Sequence, residues 1–444
     1  LSDEQLQFII NHAEDKLVFV DSSLLGQLET VQESCPTVER FVVIDEQNQM
    51  PETPLRGALE YEALLQSGDP DFNPPEPHEQ AAAAMCYTSG TTGDPKGVVY
   101  SQRSIYLHTL GVMIGDGIGL RQRDTVLPFV PMFHANAWGV AHAALMAGSK
   151  LVLPGPGPGP ADLAMLMEKE QVTLAAGVPT IWNMLYQYLK QNPQTDVSSV
   201  ETLVVGGSAA PRAMIRNYAR EFGITILHLW GMTEMSPLGT VSRPKAHMLD
   251  WDEERLLDVR MKQGMPAPGV EIRVQDDKDQ TLPWDGETIG ELAVRGPWVA
   301  RAYYNNPAAS KAFTADGWFK TGDVVTIDPE GYMQIADRTK DLIKSGGEWI
   351  SSVDMENAIM ARDDVLEACV VARPDDKWDE RPVAFVVRAA GGSDSPTPQD
   401  IFDHLAGQFA KWQVPYLEDI HFIEAVPKTS VGKFDKKVLR GQLS

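Results

Sequence analysis

Residues 87–99 read YTSGTTGDPKGVV. Thr88, Ser89, Thr91 and Thr92 supply hydroxyl donors, Gly90, Gly93 and Gly97 let backbone N–H groups turn toward one point, and Lys96 adds a full positive charge,. That is the chemistry of a grip on phosphate oxygens. It is not the Walker arrangement, because Asp94 and Pro95 separate the lysine from the preceding glycine,. By composition alone a solvated turn is the commoner outcome, since the same residue types dominate turns. Four further stretches join turn residues to polar side chains: WGMTEMSP at 230–237, GWFKTGD at 317–323, DRTKDLIKSGGEW at 337–349 and PKTSVGKFDKK at 427–437. Taken singly, Asp323 and Arg338 read as surface charges, and a helix-start carboxylate is the plain alternative for Glu234,.

The elements that must position these residues alternate. RFVVID, DTVLPFVP, KLVLPG, VTLAAGVP, ETLVVGG and TILHLW are short apolar runs, separated in part by helical stretches such as ADLAMLMEKEQ and PRAMIRNYAREFG, the latter running from Pro211 to Gly223,. Such alternation predicts an α/β fold with mixed sheets sandwiched by helices. From 264 to about 335 the pattern turns to short strands (GVEIRV, GELAVRG, GYMQIA), which predicts a β-rich subdomain, and a compact α+β pattern runs from there to the end. PGPGPGP at 154–160 must be a loop,. A hinge is expected near Thr339 and Lys340, dividing residues 1–338 from residues 340–444.

The chain has 444 residues, too many for one ordinary core,. Its formal net charge of −24 disfavours nucleic acid and anionic membrane surfaces as general partners, so any anionic ligand must meet local basic groups,. No apolar stretch approaches the ~20 residues that span a bilayer. Cys35, Cys86 and Cys369 are far apart without metal-ligand spacing, which suits packing roles in a reducing, cytoplasmic setting,.

In order and spacing, the five polar stretches resemble the adenylate-forming superfamily, which includes acyl-CoA synthetases, luciferases and the adenylation domains of peptide synthetases, and the similarity runs from Leu1 to the C-terminus. The resemblance implies a further N-terminal portion ahead of Leu1, a large N-terminal domain and a small mobile C-terminal domain, with ATP, Mg²⁺ and coenzyme A as cofactors. It implies that Thr88, Ser89, Gly90, Thr91, Thr92, Gly93 and Lys96 wrap the β- and γ-phosphates, that Thr233 meets the α-phosphate and that Glu234 holds Mg²⁺. Gly207, Ser208, Ala209, Gly231 and Met232 would border the nucleotide, Trp230 would stack on adenine where tyrosine is commoner in the family, and Asp323 and Arg338 would hold the ribose. Lys433 would reach the acid's carboxylate and the α-phosphate, then leave by rotation about Lys340 while Gly346, Gly347 and Trp349 come to border a pantetheine channel with Lys344 near a phosphate. Lys436 and Lys437 are expected to be solvated.

FHANAW at 133–138 resembles the acyl-pocket segment of acyl-CoA synthetases, placing His134 near the carboxylate and Trp138 as a gate, with ordinary core packing equally open for the tryptophan,. Val178, Pro179, Gly207, Gly231, Met232 and Met235 complete an expected lining without a cation for a second carboxylate,. The expectation is an ATP-dependent acyl-CoA ligase for an aliphatic monocarboxylic acid, either a medium- or long-chain fatty acid or 3-methylmercaptopropionate. An aryl-acid ligase, a luciferase-like adenylating enzyme and a non-catalytic nucleotide binder are the alternatives, and homodimerisation is open.

Overall fold

Four of the five parallel strands of the largest sheet split their side chains between two cores. Val126, Ala176, Val204 and Leu227 enter one apolar cluster, while their chain neighbours Leu127, Ala175, Leu203 and Ile226 enter the other. That is the two-residue period of a strand covered on both faces, which is why these runs are almost wholly apolar. In this computed structural model the described residues are 1–444 apart from 48, 89–93, 339–340, 346–347, 363, 376, 390–395, 430–432 and 444.

The chain divides into two compact units. The first comprises Leu1–Gln102 with Ala302–Ala309. Its helix Asp3–Ala13 starts from a capping box between Ser2 and Gln5,. Strand Leu17–Asp21 pairs in parallel with Arg40–Ile44, which pairs in parallel with Leu59–Glu60. Strands Ala82–Tyr87 and Gly97–Ser101 form an antiparallel pair in which Tyr87 faces Gly97, closing the mouth of the loop between them.

The second unit comprises Arg103–Arg301 and Ser310–Ser444. Its seven-stranded sheet has the order Met265–Pro266, Leu238–Val241, Thr225–Gly231, Thr202–Val205, Leu174–Gly177, Thr125–Pro128, Lys150–Leu151. The last five are mutually parallel, and the first two pair antiparallel. Helices Pro160–Glu170, Pro179–Gln191 and Arg212–Phe222 bury Leu163, Met167, Trp182, Leu185 and Tyr218 against one face. Gly223 ends the third helix in the left-handed region at φ 69°,.

Strands Glu271–Gln275, Gly290–Arg295, Phe319–Ile327 and Met333–Arg338 form an antiparallel meander, the expected β-rich portion. Beyond it, strands Ile343–Ser345, Glu348–Ile350, Val365–Asp375, Asp379–Arg388 and Ile420–Phe422 form one sheet, with helices Ser352–Met360 and Pro398–Ala406 contributing Met355, Ile359, Ile401 and Leu405 to its core. All three cysteines are buried, and none forms a disulfide. Among the described residues, no helix is long and apolar enough to cross a membrane.

Candidate active site

The loops that carry the candidate residues leave the carboxyl ends of the parallel strands, the edge at which open α/β sheets bind ligands. Strand Thr125–Pro128 runs out toward His134 and Trp138, Leu174–Gly177 toward Val178 and Pro179, Thr202–Val205 toward Gly207, Ser208 and Ala209, and Thr225–Gly231 toward Met232, Thr233, Glu234 and Met235. One strand edge therefore gathers four motifs that the sequence scatters over a hundred positions.

Small residues are required where these loops meet. A Cβ on Gly206 would stand 3.1 Å from the Trp138 ring. Gly207 sits at φ 83°, and a Cβ there would stand 3.3 Å from Val178 Cγ1 and 3.4 Å from Lys433 Cε. Trp138, Val178, Gly207 and Lys433 thus converge on one place, although Lys433 lies more than two hundred residues further along the chain. His228 supports this segment from beneath. Its Nδ1 faces the Met261 carbonyl at 2.9 Å, which places the proton there, so Nε2 accepts from Ala210 N–H at 3.4 Å,. Burial pushes this imidazole down to about 4, consistent with a neutral ring.

Asp323 anchors the other side. It stands opposite Arg338 across adjacent strands, and Arg338 Nε lies 3.0 Å from its Oδ1, while the Trp230 indole N–H donates to Oδ2 at 2.9 Å. Both oxygens are engaged by protein, which fixes the carboxylate plane, yet a carboxylate has about four acceptor positions and so two remain for hydroxyls. Trp230 is itself pinned by this bond and packs against Gly239, where a Cβ would fall 2.5 Å from its ring. The indole therefore orients Asp323 in addition to offering a face.

Trp230 and Gly231 form a bulge in the pairing with Leu238–Val241, from which the turn Thr233–Met235 projects. Glu234 is 5% exposed, and its carbonyl accepts from Ala300 N–H at 2.7 Å. Met235 is wholly buried in the core, and Pro179 is buried while Val178 is partly exposed. Lys433 is partly open to solvent but crowded by protein. Desolvation, and then the charge of Arg338, push its ammonium down to about 8 against the opposing pull of Asp323 and Glu234. His134 is likewise pushed down to about 4, first by burial and then by the Lys433 charge. It is neutral at pH 7 and can accept or donate one hydrogen bond there.

Residues Ala135, Asn136, Ala137 and Trp138 hold φ values of 46°, 53°, 51° and 56°. This is a single left-handed turn, a conformation costing about 1–2 kcal/mol per non-glycine residue. Gly139 continues it at φ 70°, where a Cβ would fall 2.5 Å from His108. His108 Nε2 in turn accepts from Leu238 N–H at 3.1 Å. The sequence signals only half of this: Asn136 and Gly139 tolerate the left-handed region, but Ala135, Ala137 and Trp138 read as an ordinary helix,.

In the first unit, Thr88 N–H donates to the Lys96 carbonyl at 2.9 Å, and Lys96 Nζ lies 5.1 Å from the centre of the Tyr303 ring,. Ser89, Gly90, Thr91, Thr92 and Gly93 lie outside the described residues, as do Lys340, Gly346 and Gly347. Lys344 and Trp349 face each other across a short hairpin with both residues exposed.

The expectation for Lys436 is corrected. Its side chain is only 13% exposed. Nζ lies 2.8 Å from Glu356 Oε1 and donates to Ser352 Oγ at 2.5 Å. The reading failed because a lysine in the charged run FDKK looks like any solvated lysine, and its partners Glu356, Ser352 and Asp337 come from other stretches. Lys437 is exposed, as expected.

A family model described as AMP-binding enzyme matches residues 1–304, and one described as AMP-binding enzyme C-terminal domain matches residues 354–433. The chain belongs to the AMP-binding enzyme family. It is 47% identical to a long-chain-fatty-acid–CoA ligase of Thermus thermophilus over 100% of this chain and 79% of the relative. It is 43% identical to a 3-methylmercaptopropionyl-CoA ligase of Ruegeria pomeroyi, covering 99% and 80%, and 42% identical to a medium-chain-fatty-acid–CoA ligase of Ectopseudomonas oleovorans, covering 98% and 79%. Among solved structures, the anthranilate CoA ligase AuaEII with anthranoyl-AMP superposes with a TM-score of 0.88 at 25% identity, covering 100% of this chain and 81% of that one. ATP-bound MatB from Rhodopseudomonas palustris gives 0.83 at 26%, covering 100% and 82%.

Proposed function

We propose that this protein is an AMP-forming acyl-CoA ligase that activates an aliphatic monocarboxylic acid with ATP and passes the acyl group to coenzyme A. The observation that carries the reading is the approach of Lys433 to Gly207 and Trp138, within the electrostatic reach of Asp323, Glu234 and Arg338. The relatives named for long-chain, medium-chain and 3-methylmercaptopropionyl substrates support the aliphatic assignment.

In the first half-reaction the acid's carboxylate attacks the α-phosphorus of ATP and pyrophosphate leaves. Two anions must be brought together, and fixed donors in a water-poor site offset their repulsion. Asp323 and Arg338 position the ribose, Gly207, Ser208 and Ala209 let the base lie close to the backbone, and Thr233 and Lys433 meet the α-phosphate. Lys433 suits this as a point charge whose ammonium can face two oxygens at once. Thr88, Lys96 and the loop between them grip the leaving phosphates. His134 and Trp138 border the acid, and Val178, Pro179, Met232 and Met235 shape the apolar part. Among the described residues no group of three or more His, Cys, Asp or Glu could hold a metal ion by itself. The buried carboxylate of Glu234 fits Mg²⁺, which takes one or two carboxylates together with phosphate oxygens and would supply charge neutralisation there,.

In the second half-reaction the thiol of coenzyme A displaces AMP. We assign residues 1–338 to an N-terminal domain, with its β-rich part at about 264–335, and residues 340–444 to a C-terminal domain that turns about Lys340. The turn removes Lys433 and brings Lys344, Gly346, Gly347 and Trp349 to the thiol's path. Acid-dependent release of AMP, measured across straight-chain acids of increasing length, 3-methylmercaptopropionate, benzoate and anthranilate, tests the reading. Preference for the aliphatic series is expected, and preference for aromatic acids overturns it.

A further inference from the structure

Lys436 begins the last helix, Lys436–Gly441, three residues beyond Lys433. Between them the chain is closely held. Thr429 N–H donates to the Lys433 carbonyl at 2.8 Å, Lys433 N–H donates to Thr429 Oγ1 at 3.3 Å, and Asp435 N–H donates to the Pro427 carbonyl at 2.8 Å. Asp435 then caps the helix by accepting from Lys437 and Val438 N–H groups. The direction in which Lys433 points is therefore coupled to how the start of this helix is seated.

What seats it is a polar cluster reaching back to the strand that carries Arg338. Lys436 pairs with Glu356, whose Oε1 also accepts from Val370 N–H at 2.8 Å. Lys436 donates to Ser352 Oγ, and that hydroxyl donates to Asp337 Oδ2 at 2.5 Å, while Ser352 N–H donates to the same oxygen at 2.7 Å. Asp337 Oδ1 accepts from Arg338 N–H at 2.7 Å, and Ser351 donates to the Ala336 carbonyl. A continuous path of bonds thus joins Lys436 through Ser352, Asp337 and Arg338 to Asp323. Ala336 and Asp337 precede Lys340 in the chain, whereas Ser351, Ser352, Glu356 and Lys436 follow it. Desolvation pushes the carboxyls of Asp337 and Glu356 up, so the cluster holds charges that only mutual pairing makes tolerable.

We propose that Lys436 is a positioning residue for the adenylation step: bound to Glu356 and Ser352, it seats the turn that delivers Lys433, and Ser352 ties that seat to Asp337 only in the arrangement where Lys433 faces Gly207. The inference rests on the ligase reading. Rotation about Lys340 must break the bonds of Ser351 and Ser352 to Ala336 and Asp337, so the cluster favours one half-reaction over the other.

The test separates the half-reactions on the purified chain. Acid-dependent exchange of labelled pyrophosphate into ATP reports adenylation, and thioester formed from supplied acyl-adenylate and coenzyme A reports the second step. Lys436→Met is expected to lose about a hundredfold in exchange, the scale of a misplaced catalytic group, with thioester formation little changed, and Lys436→Arg is expected to recover most of it. Asp337→Ala and Ser352→Ala, which leave the Lys436–Glu356 pair in place, are expected to lose exchange in the same selective way and to keep the proposal testable if Lys436→Met does not fold. Equal loss of both half-reactions, or unchanged exchange in Asp337→Ala and Ser352→Ala, overturns the proposal. Absence of exchange in the parent protein with every acid would instead overturn the ligase reading.

Discussion

Lys433 and Lys436 stand three residues apart in one short stretch, and protein surrounds both, yet their ammonium groups are driven in opposite directions. At Lys433 desolvation and Arg338 prevail, and the group is pushed down to about 8. At Lys436 desolvation also pulls down, but Glu356 and Asp337 outweigh it and the net direction is up. The difference is a carboxylate in contact. Lys436 has one at 2.8 Å, so its charge is spent inside the fold, whereas among the described residues none pairs directly with Lys433. That difference fits the role proposed for Lys433, in which its charge meets a ligand.

The comparison breaks most sharply by removing the reserved charge. Lys433→Ala is expected to lower pyrophosphate exchange about a thousandfold, the scale of removing a preorganised donor, and to leave thioester formation from supplied acyl-adenylate largely intact; parallel loss of both would mean that Lys433 is as structural as Lys436. Next comes the carboxylate that faces Lys433 without pairing to it. Asp323→Ala strands the Trp230 N–H and Arg338, and a rise of about tenfold to a hundredfold in KM for ATP is expected together with destabilisation of about 1–3 kcal/mol, read by steady-state kinetics and denaturant unfolding.

The opposite shifts also sharpen into a pH profile. Before ATP binds, Lys433 loses its proton as pH rises through about 8, so kcat/KM for ATP in the exchange reaction should decline above that value, about tenfold per unit at the limit. The stability effect has the reverse sense. The folded value lies below the ordinary 10.5, so the unfolded chain binds the extra proton between about 8 and 10.5, and Lys433 opposes folding below that window and ceases to oppose it as pH rises through it. Substituting Lys433 should flatten both trends, while Lys436→Arg should leave the profile in place.

The smallest effect concerns the left-handed turn on the far side of Lys433. Gly139→Ala places a Cβ 2.5 Å from His108 at φ 70°, and a loss of about 1–3 kcal/mol in unfolding free energy is expected, with exchange reduced less than by Lys433→Ala. Unchanged stability would show that the turn relaxes freely.

Much of this was legible in advance because it is local. Short apolar runs alternating with helical stretches announced the α/β fold, Pro211 and Gly223 bounded their helix, and the five polar stretches carried the resemblance that named Thr233, Glu234, Asp323, Arg338 and Lys433. Long-range pairings left no such trace. Nothing in WGMTEMSP says that the Trp230 N–H will meet Asp323, ninety-three residues away. Nothing in FHANAW says that four residues will wind left-handed, because alanine favours the ordinary helix,.

Side-chain period and turn chemistry, which depend on neighbours a few residues apart, are written in the order of amino acids, and so the α/β architecture, the strand-end loops and the residue types available for activating a carboxylate were determined there. Which of two lysines three residues apart is paired inside the fold and which is not was decided only in three dimensions. A charge's free energy depends on how much water and which opposite charges lie within a few ångströms, and for Lys433 and Lys436 those neighbours arrive from strands, helices and turns up to two hundred residues away.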